Sequence, residues 1–296
     1  MMSNTIIPYL WYDKEAKEAA EFYVHIFKNS KIIHTMTLSE TPSGDTEIIS
    51  FELEGLRFEA MSAGPYFKLN PSVSLMVYCN SKEEVNEIWN LLSEGGVPLM
   101  PLGEYPFSKR YGWIQDRYGL SWQIMYVDKE PKQKIKASLL FSNGVCGMAR
   151  EAIQFYTNIF KNSKIMNISE YQEGEASSPD AKVNYAEFNL NGMDFVAMDH
   201  GAGDDFTFNE AFSMMILCKD QKEIDDYWKA LSAVPEAENC GWLKDKFGFS
   251  WQIVPYRYYE MMDKGTKEQI QRVNKAVLKM KKINLQLLEE LYAKSV

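Results

Sequence analysis

The chain has 296 residues, 46% of them hydrophobic and 14% aromatic, enough apolar material for two ordinary domain cores. Its net charge of −9 repels phosphate backbones and anionic surfaces, so neither nucleic acid nor membrane is an expected partner, and no stretch approaches the roughly 20 apolar residues of a membrane span. The cysteines Cys79, Cys146, Cys218 and Cys240 form no CxxC pair, and no basic segment followed by an apolar run opens the chain, which together point to reduced thiols in a cytoplasmic protein.

In chain order, Ile6–Tyr12 is a short apolar run closed by Asp13 and predicts a strand. Residues 14–27 place Ala16, Ala19, Ala20, Tyr23, Ile26 and Phe27 at helical spacing, and Asn29 stops that helix. Lys31–Ser39 and Glu47–Leu53 alternate as strands do, Glu54-Gly55 is a hairpin turn, and Leu56–Ser62 is the returning strand. The β-α-β-β-β order then recurs. Val73–Cys79 predicts a strand, Ser81 caps a helix over 82–94 with Glu84 in the capping-box position, and Gly95-Gly96 ends it. Val97–Leu102, Tyr111–Gln115 and Ser121–Val127 predict three more strands, the last pair joined at Tyr118-Gly119.

The second half repeats the first. AAEFYVHIFKNSKI at 19–32 returns as AIQFYTNIFKNSKI at 152–165, FELEGLRFEAM at 51–61 as FNLNGMDFVAM at 188–198, SLMVYC at 74–79 as SMMILC at 213–218, and GWIQDRYGLSWQI at 112–124 as GWLKDKFGFSWQI at 241–253. The offset runs from 133 through 137 and 139 back to 129, so the second copy gains residues near 172–182 and loses about ten near 233–240. A repeat of this length is a whole domain. The expected organisation is a first domain over 1–128, a charged, proline-containing linker over 129–136, a second domain over 137–256 and a tail over 257–296. In the tail, Ile270, Val273, Val277, Met280, Ile283, Leu287 and Leu291 form one stripe. They predict a single long amphipathic helix over 266–293, docked on the protein's own sheet or joining two chains as a homo-oligomer.

These motifs resemble the vicinal-oxygen-chelate (glyoxalase/bleomycin-resistance) superfamily, and its PhnB-like branch in particular. The residues that carry the resemblance are Pro8 through Asp13, Phe22-Tyr23, Ile26 through Lys31, Gly112-Trp113, Ser121 through Ile124, and in the second copy Gly241 through Lys246 and Ser250 through Pro255. The resemblance implies an α+β fold of tandem glyoxalase-like domains, whose four βαβββ units form cupped mixed sheets flanked by helices. It also implies that the two copies pack as an internal pseudo-dimer, because single-copy relatives pair through their sheets. Members of this branch are often labelled 3-demethylubiquinone-9 3-methyltransferases. No glycine-rich turn after a strand stands ready for S-adenosylmethionine, so methyl transfer is not expected.

In the superfamily's metalloenzymes, cup-facing residues on the first and last strand of each unit hold a divalent ion. Carried over one by one, these positions fall at Ile6, Glu59, Val73 and Gln123 in the first copy and at Leu139, Val196, Phe212 and Gln252 in the second. A catalytic zinc site needs about three strong ligands, so no metal and no cofactor is expected. Of the histidines, His25 and His34 lie on a helix and a strand away from this ring, whereas His200 ends a strand beside Asp199, Asp204 and Asp205. Trp122 and Trp251 precede the cup-facing glutamines and should face the helices.

The expected function is metal-independent binding of an unknown small molecule. The second cup is the expected site, with Gln252 on its floor, Trp242 and Asp245 beside it, and Asp199 and His200 at its rim. Glu59, Gln123, Trp113 and Asp116 are the candidates in the first cup, which the proline-bearing loop over 98–108 is expected to cover. The alternatives are a metal-dependent lyase, isomerase or dioxygenase, and an interaction protein whose cups are filled by side chains. No catalytic residue is assigned.

Overall fold

The computed structural model describes residues 6–129, 131–201, 203 and 205–294, without the side chain of Glu40. The first unit is β1 (Ile6–Tyr12), α1 (Ala16–Ile26), β2 (Ser30–Thr41), β3 (Gly44–Leu53) and β4 (Leu56–Ser62). The second is β5 (Val73–Cys79), α2 (Lys82–Leu92), β6 (Val97–Tyr105), β7 (Ser108–Gln115) and β8 (Ser121–Tyr126). The third is β9 (Ile135–Ser142), α3 (Ala149–Ile159), β10 (Lys164–Glu170), β11 (Val183–Leu190) and β12 (Met193–His200). The fourth is shorter: β13 (Phe212–Cys218), α4 (Gln221–Leu231), β14 (Trp242–Lys244) and β15 (Ser250–Pro255).

Local chemistry explains most of these boundaries. Ser81 and Asp220 cap α2 and α4 by accepting from the amides of Glu84 and Glu223. The turns Glu54-Gly55 and Asn191-Gly192 both have two consecutive residues at positive φ, as tight hairpins require. Two expectations need correction. The fourth unit is βαββ, because the deletion near 233–240 removes the hairpin that β6 and β7 form in the first copy and leaves a single 3-10 turn at Pro235–Ala237. The expected linker over 129–136 ends early, since β9 already begins at Ile135.

Each sheet takes one unit from each copy. The seven-stranded sheet runs β14-β15-β13-β1-β4-β3-β2, and the eight-stranded sheet runs β10-β11-β12-β9-β5-β8-β7-β6. The joints are antiparallel, with Tyr9 opposite Ser213 and Ser74 opposite Ser138. The binding ring was expected within one copy; instead each cup mixes the two. The aromatic core, by contrast, stays within a copy and ties its two sheets together. Tyr23 and Phe27 of α1 lie 5.2 and 5.3 Å from Trp122, and Tyr156 and Phe160 lie 5.4 Å from Trp251. Both tryptophans thus face the helices and are fully buried.

The tail is three short helices, α5 (Tyr256–Lys264), α6 (Lys267–Val277) and α7 (Leu285–Ala293), not the single helix the stripe predicts. Gly265 ends α5, and Thr266 with Gln269 forms a capping box that restarts the chain as α6. The stripe breaks accordingly: Leu288 is buried while Leu287 is 40% exposed. The tail docks on the chain's own seven-stranded sheet. Among the described residues no helix is long and apolar enough to cross a membrane.

Candidate binding site: two cups, one filled by the tail

Strand alternation decides which side chains face each cup. Ile7, Tyr9, Glu59, Met215 and Gln252 share the face of the seven-stranded sheet away from its helices, and Lys136, Ser138, Val196, Met76 and Gln123 share that of the eight-stranded sheet. Ile6, Val73, Leu139 and Phe212, the apolar positions of the expected ring, belong instead to the core on the helix side. Register also realigns the first strands. Ile7 stands opposite Met215 and Lys136 opposite Met76, so Ile6 corresponds to Ile135 and not to Leu139. The shift arises because the second copy inserts a 3-10 turn, Asn143–Val145, between β9 and α3.

The cup on the seven-stranded sheet is filled. Ile7, Tyr9, Met215, Leu217 and Val254 of the sheet pack against Met261, Met262, Val273, Val277, Ile283 and Leu288 of the tail. Tyr259 donates its hydroxyl to Met215 Sδ at 3.1 Å, with the Arg57 guanidinium 5.6 Å from its ring. Glu59 is wholly buried, accepting from Ser50 Oγ at 2.7 Å and Arg57 Nη2 at 2.6 Å. Burial pushes its carboxyl up, and Arg57 and Ser50 pull the other way. Gln252 donates to Ser213 Oγ at 3.0 Å, and Trp242 packs edge-on to Tyr9 and Trp11. Gln252 therefore lies beneath the tail, not on an open floor.

The cup on the eight-stranded sheet receives nothing from the described residues of the tail. Its apolar floor is Met76, Tyr78 and Val196, rimmed by half-buried Met125, Val127, Tyr185 and Met198. Lys136 is only 4% exposed there; its Nζ lies 3.2 Å from Glu187 Oε1 and 4.7 Å from the centre of the Tyr78 ring. Tyr185 donates to Glu187 and meets the Tyr78 hydroxyl at 2.9 Å. Burial, the largest cause in each case, pushes both phenols well above their ordinary pKa, so they stay protonated near neutrality. Tyr111 donates to Gln123 Oε1 at 2.8 Å, which turns the amide nitrogen toward other partners; Gln123 Nε2 makes no protein hydrogen bond among the described residues. Ser138 Oγ is buried without a hydrogen-bond partner. Trp113 donates to Ser121 Oγ at 2.7 Å, and Ser121 meets Ser74 at 2.9 Å. Lys136, Ser138, Tyr78, Tyr185 and Glu187 were not among the candidates. The available signal was a lysine alternating with apolar residues in IKASLLFS, obscured because Lys136 reads as the end of the linker.

Three candidate carboxylates prove structural and face away from the cups. Asp116 accepts from the amides of Tyr118 and Leu120 and from Trp122 Nε1. Asp245 does the same for Phe247, Phe249 and Trp251, and also accepts from Tyr156. Asp199 accepts from four amides, those of Gly147, Ala149, Lys182 and Val183, and so holds the start of α3 against the inserted loop. His200 stacks on Phe206 at 6.3 Å. Asp205 is exposed, and Asp204 lies outside the described residues.

The ring positions do not suit a divalent metal. The filled cup offers Glu59 and Gln252 beside Ile7 and Met215, with Glu59 engaged by Arg57. The other cup offers Gln123 beside Val196 and Met76 and places the ammonium of Lys136 at the fourth position. Among the described residues no three of His, Cys, Asp and Glu gather as metal ligands. A shallow groove of about 840 Å³ runs along Glu54–Leu56, Lys132-Gln133 and Asn189–Asp194, outside both cups.

The sequence matches the family described as 3-demethylubiquinone-9 3-methyltransferase over residues 4–125 and again over 133–254. No curated protein is similar enough in sequence to match. Among solved structures, a PhnB protein from Bacillus cereus that carries the same description is 34% identical over 42% of this chain and 100% of its own, with a TM-score of 0.40. Glyoxalase I from Zea mays is 12% identical over 86% of this chain and 93% of its own, with a TM-score of 0.54. A proposed dioxygenase from Bacillus subtilis is 10% identical over 96% and 94%, with a TM-score of 0.50. At these identities the last two likenesses are of fold alone.

Proposed function

This chain belongs to the PhnB-like family described as 3-demethylubiquinone-9 3-methyltransferase, within the glyoxalase superfamily and in two tandem copies, and on that premise we propose that it is a metal-independent binding protein for a small molecule held in the cup of the eight-stranded sheet. The observation that carries this reading is the placement of the tail. Two cups of matching register exist; the tail packs into one, and among the described residues none of the tail packs into the other. The tail-free floor has the composition of a ligand site: apolar and aromatic surface with a few buried polar groups. Its methionines, Met76, Met125 and Met198, are unbranched and repack readily around an incoming molecule.

The metal-dependent lyase, isomerase and dioxygenase readings each require about three strong ligands, and Lys136, Met76 and Val196 occupy three of the four positions in this cup. Methyl transfer lacks support for a different reason: no GxGxxG turn joins any strand to the following helix. The free cysteines agree with a cytoplasmic setting. The test is a thermal-shift screen of chelator-treated protein against small aromatic and apolar compounds, since a ligand of the native state raises Tm. Hits should survive Gln252→Leu and weaken by about 0.5–1.5 kcal/mol in Gln123→Leu. Hits that need metal, or that respond only to Gln252→Leu, would overturn the reading.

A further inference from the structure

The filled cup shows what this sheet geometry accommodates. Met215 lies between Ile7 and Gln252 in the register of the seven-stranded sheet, and the tail lays the ring of Tyr259 against it. Tyr258 packs edge-on to that ring at 6.1 Å, and Arg57 approaches its face. The tail is in this sense a built-in ligand, and among the groups it lays on the sheet is a six-membered aromatic ring bearing one oxygen, placed against Met215.

The equivalent place in the other cup is Met76, which lies between Lys136 and Gln123. Here the Tyr78 hydroxyl lies 2.9 Å from the sulfur, so a phenol of the chain itself stands at the acceptor that Tyr259 uses in the other cup. What the site holds instead is a surplus of donors. Gln123 Nε2 gives no hydrogen bond to protein among the described residues, Ser138 Oγ is buried without a partner, and Lys136 spends one contact on Glu187. Donors in a buried site call for an acceptor on the ligand, because leaving them unpaired is costly. Glu187 already balances the Lys136 charge, so a ligand carboxylate would add an uncompensated negative charge beside it. A neutral acceptor would not.

We infer that this cup takes a single-ring aromatic compound carrying a neutral carbonyl, with the ring on Met76, Met125 and Met198 and the carbonyl oxygen accepting from Gln123 and Lys136. The inference rests on the binding reading above and adds the ligand class to it. The experiment is calorimetric titration of the full chain with acetophenone, benzoate, toluene and cyclohexyl methyl ketone. Acetophenone should bind about tenfold more tightly than each of the others, a difference equal to one well-made hydrogen bond or ring contact. Lys136→Met combined with Glu187→Gln removes the pair together, so that neither charge is left stranded; it and Gln123→Leu should each weaken acetophenone about three- to tenfold. Gln252→Leu should leave its affinity unchanged. Tighter binding of benzoate, or equal binding of toluene or of the cyclohexyl ketone, overturns the ligand class. If none of the four binds while other compounds raise Tm in a Gln123-dependent way, the class is wrong and the binding reading stands. If nothing raises Tm, both fall.

Discussion

Asp116 and Asp245 occupy equivalent turns, and each is enclosed by donors: two backbone amides, an indole and a buried tyrosine. Burial nonetheless dominates. It pushes the Asp116 carboxyl up to about 6, while Trp122, Tyr23 and the amides pull it down, and it raises Asp245 in the same direction. A carboxyl whose folded pKa exceeds its unfolded value of about 3.9 binds its proton more tightly in the native state. Its contribution to stability is therefore greatest below pH 4 and declines as pH rises through 6. For Asp116 this decline is on the order of 2–3 kcal/mol. Asp128, Asp225 and Glu238 move the opposite way, lowered mainly by hydrogen bonds to Lys109, Lys282 and Ser232, but they lie at the surface and count for little. Urea unfolding of wild type and Asp116→Asn from pH 4 to pH 7 should thus show the wild type losing its advantage as pH rises. Parallel curves would mean the carboxyl is not responsible.

At the level of elements, the tail matters most for stability as well as for the site. Its six fully packed apolar side chains complete the core of the cup on the seven-stranded sheet, and burying each is worth about 1.5–3 kcal/mol. Leu288 is wholly enclosed, so Leu288→Ala should cost about 2–5 kcal/mol in denaturant unfolding. Its neighbour Leu287 is exposed, and Leu287→Ala should change stability by about 0.5 kcal/mol or less. A single continuous helix over 266–293 would place Leu287, with Val273 and Val277, on the buried stripe, so the pair of substitutions also distinguishes three short helices from one long one. The hairpin of β6 and β7 is the opposite case. It has no counterpart in the second copy, and the rings of Tyr105, Phe107 and Tyr111 cluster at its tip, beside the cup the tail leaves alone.

At the scale of the whole molecule, each copy contributes half of both sheets. β1 and β5 are buried along nearly their whole length and pair on one edge with the other copy. A half alone would expose these edges, which is a route to aggregation. Residues 1–128 and 129–296 made as separate chains should accordingly fail to give a cooperatively unfolding monomer alone, and should recover a 1:1 complex when co-expressed. Sedimentation and thermal melts check this. A half that is monomeric and melts cooperatively by itself would show that the shared sheets are dispensable. Covalent linkage favours the joined arrangement by holding the halves at high effective concentration.

The repeat motifs alone were enough to specify the family, the strand and helix order and the helix-facing tryptophans, because period-2 and period-3.6 patterns and the capping residues are local signals that survive without a partner. Glu59 and Gln123 could be selected as cup-facing for the same reason. Three things were decided only by tertiary structure. Which copy supplies which strand to a sheet depends on edge pairing, and that leaves no mark within a strand. Ile7 and Lys136 become equivalent only when the register of β5 and β13 fixes them, since the inserted turn after β9 displaces the motif alignment. Above all, two cups that read alike in sequence are made unlike by a tail that can fill one of them. The apolar stripe of that tail shows that it must dock somewhere, whereas the docking face is set by shape and burial across the folded sheet.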